Sequence, residues 1–345
     1  MLHDPARHET CASTPWSETR ARAAIAQIVQ DTEANFHPER HWPMHPNDAD
    51  PEGPQPATPV HPLYHGSAGV MWALHELQSL GAATLTRSYA PHVAALLPLN
   101  RAWLGEDAEA EQASYLMGDT GILLLQQRLA PSSATADRLE TLIAGNLEHP
   151  SRELMWGSPG TMLAALFLHQ HSGEARWAEL FRRSARRLWD QRLWSEAHQC
   201  HHWTQDMYGA RSTYLDAVHG FVATATPLIH GRHLMDRDEW PAWQACIENT
   251  LRRTATVDGE CASWRVWLDT PEGAQPRWLM QYCHGAPGFV VCLGDLPGTA
   301  LDDLLLAAGH ATWRAGSLKK GSNLCHGTGG NGYAFLKLRS EEHTS

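Results

Sequence analysis

Two Cys-His dipeptides, Cys283-His284 and Cys325-His326, are the residues of this chain best suited to chemistry. Thiolate and imidazole are the donors zinc prefers, and three protein ligands with an open fourth position make a catalytic rather than a structural zinc centre. A Cys, Cys, His set would leave that position free. One such dipeptide alone is better explained as a small buried thiol beside a core or capped histidine. Two of them, each followed at once by glycine, carry the metal reading. The chain has seven cysteines, an odd number, scattered and without a CxxC pair, which favours reduced thiols or a metal site over a disulfide framework.

Both dipeptides belong to a recurring pattern: glycine, two residues, usually a second glycine, then an apolar stretch. It occurs as HGSAGVMWAL (65–74), MGDTGILLLQ (117–126), WGSPGTMLAAL (156–166), HGFVATATPLI (219–229), CHGAPGFVVCL (283–293) and CHGTGGNGYAFL (325–336). The leading glycines, Gly66, Gly118, Gly157, Gly220, Gly285 and Gly327, are 39 to 65 residues apart, room for a helix out, a loop and a helix back. Glycine suits a helix start that faces a crowded centre, where the backbone approaches closely and φ is sometimes positive. Between the copies, residues 134–147 and 174–193 place apolar residues three and four apart, the mark of amphipathic helices. No sustained alternation of β-branched residues marks a large sheet. The expected fold is all-α, an α/α barrel with an inner ring of helices wrapped by outer ones. The polar residues of the glycine turns would gather at one end, where helix N-termini favour anions or a metal-bound anion.

A first helix is expected to open near Ser13-Thr14-Pro15 and run through RARAAIAQIVQ. Residues 38–62 hold eight prolines and read as an irregular arm. The domain reading is therefore residues 1–62 as N-terminal helix and arm, 63–338 as the barrel, and 339–345 as a tail. With 345 residues, 43% of them hydrophobic, the chain can bury a sizeable core. Charged residues make up 19%, and the net charge of −11 gives no electrostatic footprint for nucleic acid or an anionic membrane. No basic-then-apolar leader and no apolar run of about 18 residues is present, so a cytoplasmic chain is expected, with monomer the default state. The fifteen tryptophans read as core or groove lining, and most of the 22 histidines as solvated surface.

QYCHGAPGF and LKKGSNLCHGTGGNGYAFLKL resemble the two zinc-binding segments of the lanthionine synthetase C-like family, and the other four copies resemble its remaining glycine turns. The resemblance runs from about Tyr64 to Leu338. CHGAPG, MGDTG, ELMWGSPG and the Lys-Lys-Gly before the second cysteine are more similar to the LanC-like branch found in eukaryotes than to dedicated lantibiotic cyclases. The resemblance implies Cys283, Cys325 and His326 as zinc ligands and His219 as a proton-transfer residue. His284 matches the position after the first cysteine, where the family has His or Tyr. Glu153 falls where the cyclases have an aspartate and becomes a second candidate acid or base. Lys320 matches a lysine associated, in the eukaryotic branch, with binding glutathione. Two departures stand out. Copy four reads HGFVAT against a family pattern close to HGLAG, so a reshaped turn is expected around His219. The chain also ends 19 residues after His326, where family members continue for several tens, so a barrel lacking its last helices is expected.

The activity implied is zinc-dependent addition of a cysteine thiol, from glutathione or a peptide, to dehydroalanine or dehydrobutyrine, forming a thioether. A thiol on zinc is deprotonated and still nucleophilic near neutral pH. Attack at the β-carbon leaves an enolate that needs a proton at the α-carbon, for which His219 and His284 are the donors. Without a kinase or dehydratase signature, the dehydrated substrate must come from another protein. Two alternatives stand beside this one. A protein of the same fold could hold zinc and glutathione without turnover, as a sensor or adaptor. A carbohydrate-active α/α barrel would need paired carboxylates, for which Glu153 and Asp119 are the turn-associated acids, and it leaves the two Cys-His pairs unexplained.

Overall fold

The first helix, α1 (Glu18–Ala34), begins later than the sequence suggests: Ser17 is the cap, its Oγ accepting from the Arg20 N–H at 3.3 Å, and Ser13 lies outside the described residues. The structure is a computed structural model and describes residues 2–11, 14–44, 59–105 and 111–342. Most of the proline-rich arm (45–58) and the last three residues of the tail thus lie outside the described residues. From α1 the chain alternates helices that follow a glycine turn with helices that return. The turn helices are α2 (Ser67–Ser79), α4 (Asp119–Leu129), α6 (Ser158–Ser172), α8 (Phe221–His230), α10 (Ala286–Leu293) and α12 (Thr328–Glu342). The returning helices are α3 (Ala90–Leu104), α5 (Ser133–Gly145), α7 (Ala175–Asp190), α9 (Glu239–Thr254) and α11 (Asp302–Ala315). All six copies of the pattern therefore open a helix, each on the residue after its glycine.

Turn helices and returning helices differ in what they bury. In α8 and α10 almost every side chain is buried, whereas α7 buries the stripe Trp177, Ala178, Leu180, Phe181, Ser184, Ala185 and Leu188 and turns its arginines and Glu179 outward. Removing one anchor of that stripe, as in Phe181→Ala, would cost about 3–5 kcal/mol. Trp177, Trp203 and Trp264 are fully buried, Trp264 stacked on Phe289 of α10 with centroids 4.2 Å apart. Those three fit the core reading of tryptophan, whereas Trp16, Trp72, Trp103, Trp194 and Trp313 are exposed.

The chain divides into two compact units, Ser13–Asn146, and Met1–Ala12 with Leu147–Ser345. The first holds α1 to α5 around Val29, Met71, Leu74, Tyr89, Val93, Leu96 and Ile122. Two histidines of this unit depart from the surface reading. His41 and His61 are buried, 1% and 6% exposed, in a ring cluster with Phe36 and His92, because the aromatic residues flanking the arm give these imidazoles something to pack on.

The second unit holds α6 to α12 and four two-stranded ladders: β1 (His8–Glu9) with β8 (Ser317–Leu318), β2 (Leu193–Ser195) with β3 (Cys200–His202), β4 (Gln205–Met207) with β5 (Ala210–Ser212), and β6 (Ala255–Asp258) with β7 (Cys261–Trp264), all antiparallel. Strands of two to four residues carry no readable alternation, which is why the sequence shows no sign of them. No described helix is long and apolar enough to cross a membrane.

Candidate metal centre

In copies two, three, four and six the turn is capped by the side chain four places before the glycine. In copy three this is Glu153: Oε2 accepts from the Met155 N–H at 2.9 Å, and Oε1 from the N–H groups of Trp156 and Gly157 at 2.5 and 3.2 Å. In copy four it is Asp216, whose Oδ1 accepts from Val218 and His219 at 2.9 and 2.7 Å. Ser114 and Asn323 do the same in copies two and six, accepting from Met117 and His326. Each side chain satisfies donors that a helix start would otherwise leave unpaired. The turn then passes so close to itself that a methyl group at Gly157 would lie 1.6 Å from the Ser151 carbonyl oxygen. Gly285 alone among the six combines that crowding with positive φ, +121°. Gly220 has φ −112°, within the range of −92° to −123° at Gly66, Gly118 and Gly157, so Ala223 in place of a second glycine does not reshape the backbone around His219.

Backbone bonds tie consecutive turns of the second unit together. The N–H of Leu154 donates to the Val218 carbonyl (3.0 Å), that of Ala217 to Cys283 (3.2 Å), and that of Cys283 to Cys325 (3.1 Å). This register brings the two Cys-His dipeptides side by side. One ligand atom from each of Cys283, Cys325 and His326 can be chosen so that all three lie within 4.8 Å of one another, the only such group of three among the described residues. Sγ of Cys325 and Nε2 of His326 are 3.9 Å apart. Cys283 is buried and the other two are partly exposed, so the cluster is held from below and reachable from above.

This donor set fits zinc. Contact with the Cys325 thiol, then burial, pushes the Cys283 thiol well up, so two thiolates cannot coexist there without a compensating cation. Gln281, four before Gly285, donates from Nε2 to Sγ of Cys283 at 3.0 Å and accepts on Oε1 from Arg7 at 3.2 Å. Donors behind a ligand of this kind fix its orientation and stabilise its anionic form. Arg7 reaches Gln281 because β1 is paired to β8, just ahead of the second Cys-His.

Beside the cluster stand two histidines, each set by a buried carboxylate from the preceding copy. Nδ1 of His219 is 2.9 Å from Oε2 of Glu153, and Nδ1 of His284 is 2.6 Å from Oδ2 of Asp216. Their ring centroids are 6.2 Å apart, with Tyr214 5.8 and 5.9 Å from each. Burial disfavours a charged His219, but the hydrogen bond and charge of Glu153, with Asp216 and Cys325, outweigh it and raise its pKa above the ordinary value. For Asp216 burial pushes upward, and the His284 and His219 rings turn the balance, holding the carboxyl below the usual range.

Five of the residues expected from the sequence, Cys283, Cys325, His326, His219 and His284, therefore come together, with Glu153 directly behind His219. Lys320 lies in the segment between β8 and the second Cys-His and is exposed. Asp119 belongs to the other unit, where its buried carboxylate is held by Arg101 and Arg138. Sequence reasoning missed Asp216, Gln281 and Arg7. The first two share Glu153's offset of four from a turn glycine, a signal present in the sequence; nothing local marks Arg7.

A family model described as lanthionine synthetase C-like protein matches residues 61–345. Over 65 residues the chain is 42% identical to Glutathione S-transferase LANCL1 of Danio rerio, a stretch that spans 17% of this chain and 16% of that relative. Among solved structures it is similar to nisin cyclase, with TM-score 0.52 and 14% identity over 94% of this chain and 82% of that one. That likeness is one of fold, the α/α barrel of inner and outer helices anticipated from the repeat.

Proposed function

The chain belongs to the lanthionine synthetase C-like family, and from that membership we propose that it adds a cysteine thiol, of glutathione or of a peptide, to dehydroalanine or dehydrobutyrine, using zinc held by Cys283, Cys325 and His326. The observation that carries this reading is the juxtaposition of that three-donor cluster with two imidazoles, each backed by a buried carboxylate. Zinc bound there would hold the substrate thiol as thiolate at neutral pH.

The protein's own groups do the rest. The new S–C bond forms at the β-carbon, the π electrons move to the adjacent carbonyl as an enolate, and the α-carbon takes a proton. Glu153 accepts from three backbone donors, and its remaining capacity goes to His219. In this reading Glu153 is a positioning residue rather than a second acid: it presents His219 with Nε2 outward and favours its protonated form, the state needed to deliver a proton. Asp216 does the same for His284, which can donate to the developing enolate oxygen. Lys320 is the candidate for a carboxylate of glutathione.

The test is turnover. Zinc-loaded protein with glutathione and a dehydroalanine peptide should yield the thioether, detected by mass, at a rate that collapses in His219→Ala. Retained zinc and glutathione binding without any product would make the protein a non-catalytic sensor or adaptor.

A further inference from the structure

The residue immediately before each turn glycine is Trp156 in copy three, His219 in copy four, His284 in copy five and His326 in copy six. The rungs from Leu154 to Val218, Ala217 to Cys283 and Cys283 to Cys325 place these turns side by side in that order. If the thiol is held at the cysteine end and the acceptor's α-carbon must reach His219, the remainder of the acceptor has to continue past His219 toward Trp156. Over Trp156 stands the tip of the β4–β5 hairpin. Tyr208 occupies that tip with φ +54°, followed by Gly209 at +74°. A two-residue hairpin loop of this kind ordinarily takes Asn-Gly. An L side chain other than Asn or Asp there costs roughly 1–2 kcal/mol.

Burial does not offset that cost, because Tyr208 is 72% exposed. Its ring is nevertheless fixed. The Trp156 indole N–H donates to the Tyr208 hydroxyl at 2.9 Å, and the two rings meet edge to face, centroids 6.3 Å apart. The base of the hairpin is fixed as well: Ser151 Oγ donates to the Asp206 carbonyl at 2.6 Å, and Oε1 of Gln205 accepts from the Tyr214 N–H at 2.7 Å. A strained, exposed and anchored aromatic beside a site points to function. Tyrosine and tryptophan offer large amphipathic contact at small entropic cost.

We propose that Tyr208 and Trp156 are the specificity surface for the acceptor, holding an apolar or aromatic side chain next to the dehydroamino acid of a peptide. This rests on the thioether-forming reading above. The test compares zinc-loaded wild type with Tyr208→Asn, a residue that suits the turn better. The expected result is an unchanged or higher Tm together with a roughly tenfold rise in KM and Kd for a dehydroalanine peptide flanked by phenylalanine. Affinity for glutathione should stay constant, and N-acetyldehydroalanine, which has no flanking residue, should lose far less than the peptide. Equal losses for both acceptors, or peptide constants unchanged in the variant, would overturn the proposal. If wild type turns over neither acceptor, the thioether reading fails, and this inference then stands or falls on the peptide Kd alone. Tyr208→Phe, which keeps the ring and loses the bond to Trp156, should fall between the two.

Discussion

Oδ2 of Asp216 lies 2.6 Å from Nδ1 of His284, while Oδ1 of the same carboxylate caps the turn that begins at His219. One side chain thus shapes its own turn and aims the imidazole of the next copy. Glu153 has the same double task toward His219. Fold and chemistry share these atoms, so substitutions here should register in both.

Glu153→Gln supplies one acceptor oxygen where three backbone N–H groups and an imidazole now meet two. At least one buried donor faces an amide NH2 instead, a loss of about 1–3 kcal/mol. We expect a lower Tm, a His219 titration displaced downward in NMR, and turnover reduced on the order of 10²-fold or more. An unchanged Tm and titration would contradict the positioning role.

Gly285→Ala should be among the most damaging small substitutions. Gly285 is two residues from Cys283, its φ is +121°, and a methyl group there would lie 1.6 Å from the Leu279 carbonyl oxygen. Loss of several kcal/mol and of metal retention is expected. Gly145→Ala, at the end of α5 where a methyl group meets nothing within 4 Å, should be neutral or stabilising by about 0.4–1 kcal/mol. Urea melts of the two variants make the comparison.

Stability should fall with acidification because of His41. Burial, then the neighbouring His61, His92 and His37, lowers its pKa from 6.5 to about 4. The folded chain holds this imidazole neutral while the unfolded chain protonates it. Its contribution is therefore complete above pH 6.5 and lost as pH falls toward 4. His61 is lowered by burial in the same direction. His41→Asn, which tolerates the φ of +59° at that position, should narrow the difference between urea midpoints at pH 7 and pH 5. An unchanged difference would assign the acid sensitivity elsewhere.

Much of this architecture was legible because the repeat is chemically loud. Glycine, two residues, usually a second glycine, then an apolar run, marked the start of all six turn helices, and the two Cys-His copies marked the three donors that come together in the candidate metal centre. What stayed hidden was relational. Asp216 and Gln281 are ordinary polar residues until turns stack and a side chain in one copy meets a ring or thiol in the next. Arg7 acts from nearly the other end of the chain through a two-residue strand. The burial of His41 depended on Phe36 just after α1, His61 and His92 of α3, and no local pattern reports that.

The most direct test of the central claim is the metal content of the purified chain by elemental analysis, beside Cys325→Ala prepared identically. We predict about one zinc per chain in wild type and its loss in the variant, with the fold retained by circular dichroism. Well-folded wild-type protein that binds no zinc after incubation with the metal and dialysis would contradict the account.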